Sequence, residues 1–144
     1  MTTLKKLTKE EKALAVARLN QAREEEERRD CQTGMEDGRN WAIQRGDCGG
    51  LEALDYVAGN YDPEVEDKYL WNQQAVLARM LARHHGERFG KELSVAELQR
   101  SLFPPNRPHT FEYVNGFQIG ATMAWDEIKP LLKAGAGSEG AGAA

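Results

Sequence analysis

The residues best equipped for chemistry are His84 and His85, with Glu87 close behind them. Adjacent histidines on a helix point about 100° apart and share no face, unlike an i, i+4 pair such as HExxH, which this chain lacks. His109, beside Pro108, is the remaining histidine. A metal site would need His84, His109 and an acid to converge from separate elements, which their spacing does not predict. The plainer account is that His84 and His85, as cations, favour the C-terminal end of a helix.

Acids give a second candidate. Between Arg45 and Lys68 stand Asp47, Glu52, Asp55, Asp62, Glu64, Glu66 and Asp67, with no base among them. Asn60, Asp62 and Glu64 alternate as in a calcium loop. Val65, however, occupies the place of the obligatory glycine, and Trp71 that of the terminal glutamate, so the EF-hand is excluded. Helix capping accounts for Asp62, Glu64 and Glu66. The functional alternative is an acidic patch of Asp62, Glu64, Glu66 and Asp67 for a partner with a basic surface, where complementary charge speeds association and selects partners.

Other chemistries find little support. Cys31 and Cys48 match no CxxC spacing and read as free thiols. No phosphate loop, GxGxxG, GxSxG or Cys–His arrangement stands in a fitting context. Ser94 is better used as a helix cap. Basic residues gather at Arg79, Arg83, Arg88 and Lys91, and again at Lys5, Lys6, Lys9 and Lys12. A net charge of −4 and the lack of a recognisable nucleic-acid motif argue against nucleic acid as the general partner.

The elements that must position these residues are helical. Thr8 and Glu11 form a capping box that opens a helix running from about Lys9 to Arg45. Its early apolar section is Ala13, Leu14, Val16, Ala17 and Leu19. From Asn20 to Asp30 it is polar except for Ala22, with Glu24–Arg28 and Glu25–Arg29 in the favourable i, i+4 order. That stretch is either a solvated connection or a helix that meets a partner. A short helix from Leu51 to Val57 interrupts a glycine-rich loop. Asp62 and Pro63 signal the next start, with Tyr69, Val76, Leu77, Met80, Leu81 and His84 on its apolar face and Gly86 as its stop. Ser94 and Glu97 cap a short fourth helix, which ends at the proline-rich 103–108 connection. The last helix spans about Thr110 to Lys129 and halts before Pro130. The only strand candidates fall within 87–93 and are short. The Gly/Ala-rich stretch 134–144 has nothing to bury and is expected to be disordered, leaving 1–133 as one helical domain.

The long first helix and the last one carry the same pattern, 82 residues apart. Cys31, Gly34, Met35, Gly38, Trp41 and Ala42 match Tyr113, Gly116, Phe117, Gly120, Met123 and Ala124. Each helical glycine costs about 0.5–1 kcal/mol relative to alanine, so close backbone packing must offset it. Either the two helices cross each other within the chain, or each packs on its own copy in a homodimer.

These readings predict an all-α bundle of four or five helices, with 144 residues sufficing for one core. No run of about 18 apolar residues is present to span a membrane. The polar start, Met1 to Lys12, lacks the apolar segment of a signal peptide, so a cytoplasmic location is expected. The expected function is that of a non-enzymatic binding or regulatory module working through protein–protein contacts. No catalytic, cofactor or metal residue is assigned and no cofactor is expected. The alternatives are a small metal-dependent hydrolase using acids with His84 or His85, and a nucleic-acid-associated regulator.

Overall fold

The computed structural model describes residues 7–60 and 71–143, with the backbone alone at Cys48 and 132–143. Among the described residues it contains no strand and five helices: α1 (Lys9–Gln44), α2 (Cys48–Ala58), α3 (Gln73–Phe89), α4 (Val95–Leu102) and α5 (Phe111–Ala143). The architecture is a small all-α bundle with a long first helix. No helix among the described residues is long and apolar enough to cross a membrane.

The capping chemistry sets most helix starts. Thr8 Oγ1 accepts from Glu11 N at 3.1 Å, and Glu11 Oε1 accepts from Thr8 N at 3.3 Å. Asp47 caps α2 through Gly50 N at 2.7 Å. Ser94 caps α4 through Glu97 N at 3.4 Å. Three boundaries differ from the sequence reading. α3 begins after Asn72, whose side chain accepts from Ala75 N at 3.2 Å. The start read at Asp62–Pro63, and Tyr69, lie outside the described residues. Gly86 does not end α3, which continues to Phe89 and stops at Gly90 in the left-handed region, φ 76°. A Cβ at Gly86 would meet Glu92 Cγ at 2.5 Å, so this glycine serves the return of the chain past α3. α5 runs through Pro130 and carries the Gly/Ala stretch as helical backbone to Ala143. The helix passes Pro130 at the cost of one backbone hydrogen bond and a crowded carbonyl; the good helix formers Leu131 to Lys133 follow it, while the four glycines of 134–143 oppose helix.

α1 and α5 form the spine. Gly34 lies against Tyr113 O and Gly116 against Cys31 O; Gly38 lies against Phe117 O and Gly120 against Met35 O. Residue numbers rise together along both helices, so they run parallel. Each contact is matched by another with the two halves of the repeat exchanged, which gives the crossing approximate two-fold symmetry. At all four glycines the Cα–H that a Cβ would replace faces a carbonyl oxygen, the arrangement of a weak Cα–H···O contact. The glycine faces are therefore filled from within the chain, which removes the reason for a homodimer through them. Phe117 is fully buried here, whereas Trp41 and Met35 are half-buried and Met123 is exposed at the edge.

The remaining helices close over one side. Leu51, Leu54 and Val57 of α2, Leu77 and Leu81 of α3, Leu102 at the end of α4 and Phe103 just after it join Tyr113, Val114, Phe117, Ala121 and Trp125 of α5 in one apolar core. Phe103 meets Phe117 edge-on at 4.7 Å and Tyr113 at 5.9 Å, which pins the proline-rich connection to the spine.

Candidate functional site

The 103–108 connection carries a tightly constrained polar group. Phe103 anchors its start. Asn106 turns it through φ 63°. Gln74, nearly buried at the start of α3, donates to Pro108 O at 2.8 Å and accepts from Gln99 Nε2 at 3.2 Å. Gln73 N donates to His109 O at 2.9 Å. So fixed, the connection delivers Arg107 onto α1. Its Nε donates to Asp37 Oδ2 at 2.7 Å and its Nη2 to Asp37 Oδ1 at 3.4 Å. The same Oδ2 accepts from Tyr113 Oη at 2.7 Å. Asp37 precedes Gly38 and Tyr113 opens the second half of the repeat, so the register of the glycine crossing sets the distance between them.

Burial satisfied by hydrogen bonds is the stable way to hold such a carboxylate. The Asp37 side chain is 9% exposed and that of Arg107 37%. Burial first, and then its bond to Asp37, push the Tyr113 hydroxyl well above its ordinary value, so it stays protonated. The hydrogen bond and charge of Asp37 raise Arg107. Nearby, Thr110 Oγ1 donates to Asp30 Oδ2 at 3.0 Å and accepts from Tyr113 N at 3.3 Å, tying the start of α5 to α1.

Beside this network lies a cleft of about 530 Å3 between the last two turns of α1 and the connection. Asp37, Asn40, Trp41, Gln44 and Arg45 supply one wall at helical spacing; Arg100, Phe103, Pro104, Pro105 and Arg107 supply most of the other. Sequence reasoning did not assign Asp37, Arg45, Arg100 or Arg107 to a site. A lone arginine among prolines was the available signal, but its partner sits 70 residues away.

The histidines line a second, mainly apolar cleft of about 410 Å3, with Trp41, Ala53, Leu81, Leu98 and Leu102 in its walls. His85 Nδ1 donates to Lys91 O at 2.7 Å, and its ring lies 4.7 Å from that of Phe89. His84 stacks on Tyr56 at 4.8 Å. His109 is elsewhere, its Nδ1 donating to Asn72 Oδ1 at 2.7 Å. No group of three His, Cys, Asp or Glu converges among the described residues. Of the basic residues, Arg79 pairs with Glu92 at 3.1 Å. Cys31 is a half-buried free thiol. The proposed acidic patch, Asp62, Glu64, Glu66 and Asp67, lies outside the described residues.

A third feature is the first half of α1. Every residue from Lys9 to Arg29 is exposed apart from half-buried Ala15. Leu14, Val16 and Leu19 are 53%, 55% and 66% exposed. At 1.5 Å per residue this makes an arm of about 30 Å before α5 begins alongside. Compared with known protein families, with curated proteins and with solved structures, the chain matches none of them.

Proposed function

We propose that the chain is a non-enzymatic helical binding module, acting through protein–protein contacts made by the arm of α1. The observation that carries this reading is the exposure of Leu14, Val16 and Leu19 on a helix that no other element covers, among the described residues, along its first 21 residues. Most helical stability in proteins comes from packing an apolar face rather than from propensity. The partner is a protein surface with apolar pockets bordered by basic residues. Three apolar side chains lead within two turns to the acidic run Glu24–Glu27, and complementary charge would steer and select the partner.

Full burial of each of these side chains is worth about 1.5–3 kcal/mol. Association itself costs several kcal/mol, so the contact is weak without the acidic run and sensitive to salt with it. The test is native co-purification of the tagged full chain from its source cells at low salt, beside Leu14→Ser/Leu19→Ser. Both leucines lie outside the packed core, so the variant should melt with the parent. A protein retained by the parent and lost with the variant supports the reading. Retention of the same proteins by both, or of none, removes the arm as the contact element. Neutralising Asp62, Glu64, Glu66 and Asp67 in parallel separates a second acidic contact from the arm.

A further inference from the structure

We propose that the 530 Å3 cleft beside Arg107 is a binding site for a small dianionic phosphate ester. The volume falls in the range of small-molecule sites, about 300–1,000 Å3. Its charge is the opposite of the molecule's. The chain carries −4 overall, yet this cleft is lined by Arg45, Arg100 and Arg107 against the single carboxylate of Asp37. Two positive charges are left uncompensated, which a doubly charged phosphate would match.

The three guanidiniums differ in a way that suits an anion site. Arg107 is pre-positioned: two of its N–H groups hold Asp37 at 2.7 and 3.4 Å, leaving three of the five donors of a guanidinium. Because the pair is braced by Tyr113, little orientation entropy remains to be lost when an anion arrives. Arg45 and Arg100 have no acid partner among the described residues and are exposed. Each stands at the C-terminal end of its helix, where a cation complements the helix dipole. The dipole explains one arginine per helix end. It does not explain why two such ends open on one cleft already holding Arg107, since crowding like charges is unfavourable. An anion reverses the sign of that term, and arginine is the side chain that best matches a phosphate's geometry.

The rest of the lining fits the organic part of an ester. Asn40 and Gln44 offer amide hydrogen bonds, while Trp41, Phe103 and Pro104 present apolar faces. A free inorganic phosphate would use the arginines alone. An ester with a planar apolar body would use both.

The experiment is calorimetric titration of the full chain at low ionic strength with inorganic phosphate, phenyl phosphate and benzoate. Phenyl phosphate should bind saturably at one site, more tightly than inorganic phosphate, and benzoate should bind at least tenfold more weakly. The second ionisation of a phosphate monoester lies near pH 6, so affinity should fall severalfold between pH 7.5 and pH 5. Arg45→Gln/Arg100→Gln should weaken phenyl phosphate at least tenfold, with the melting temperature lowered only by the small loss of two helix-end charges. Arg18→Gln, which removes one positive charge from the arm, should leave binding unchanged. Absence of saturable binding by the parent would overturn the proposal. So would equal binding by the double variant, or equal losses in the double variant and Arg18→Gln. None of these outcomes depends on the protein-binding role of the arm.

Discussion

Replacing Gly38 with alanine adds one methyl group where α1 and α5 cross. Its Cβ would overlap the carbonyl oxygen of Phe117 and stand 2.8 Å from the carbonyl carbon and 3.0 Å from Ala121 N. All three atoms are helical backbone, so no rotamer change can relieve the clash. The helices must part, locally by about 1 Å, and a gap of that size forfeits a quarter to a half of each dispersion contact it opens. Phe117 and Ala121, both buried, sit on the opening seam. Overpacking costs about 1–3 kcal/mol, occasionally more, and the exchange recovers about 1 kcal/mol of helix propensity. Because the obstruction is backbone on both sides, the upper part of that range applies, for a net loss of about 2 kcal/mol. In a chain of 144 residues that lowers the melting temperature by about 4–8 °C. Gly120→Ala meets Met35 O in the equivalent way and should cost a similar amount. The double variant should cost clearly less than the two losses together, since parting the helices once relieves both clashes. The internal control is Gly49→Ala on α2, where the nearest atom stands 3.7 Å away and stability should hold or rise. Thermal and denaturant unfolding of the four variants decide the matter. A Gly38→Ala protein as stable as its parent would refute the close crossing, as would strict additivity in the double variant.

The polar network yields two more predictions. The Tyr113 phenol is raised above its ordinary value of 10.0 by burial and by Asp37. The folded state thus holds a proton that the unfolded chain releases near pH 10, and this contribution is complete below pH 10 and is lost as pH rises beyond it. Denaturant midpoints should therefore fall more steeply between pH 9 and pH 11 for the parent than for Tyr113→Phe; parallel curves would contradict the assignment. Arg107→Met strips the charged partner from a nearly buried carboxylate. The arginine is itself 37% exposed, so the loss should be about 2 kcal/mol rather than the 3–5 kcal/mol typical of a deeply buried pair. Adding Asp37→Leu should recover part of it in a double-mutant cycle, and no recovery would mean that the pair is not coupled.

The sequence by itself determined the all-helical architecture and which two helices carry the glycine faces. Capping residues at Thr8 and Ser94 act within one turn, so their signals are local. The repeat from Cys31 to Ala42 and from Tyr113 to Ala124 was legible because glycine in a helix is costly and needs a close neighbour. Which neighbour it was, and that the helices run parallel, only the tertiary structure decided. The same holds for the end of α3: the sequence points to Gly86, but the helix runs on to Gly90 as the chain returns past Glu92. The Asp37–Arg107–Tyr113 group and the arginine cleft left no pattern to read. Their members come from α1, α4, α5 and a connection up to 76 residues apart, and ion pairing depends on distance in space rather than on spacing along the chain. The arm was visible as a polar helix, but its exposure among the described residues followed only from the placing of α5 beside residues 30–42 and not beside 9–29. Helical periodicity says which face is apolar; only the packing says what, if anything, covers it.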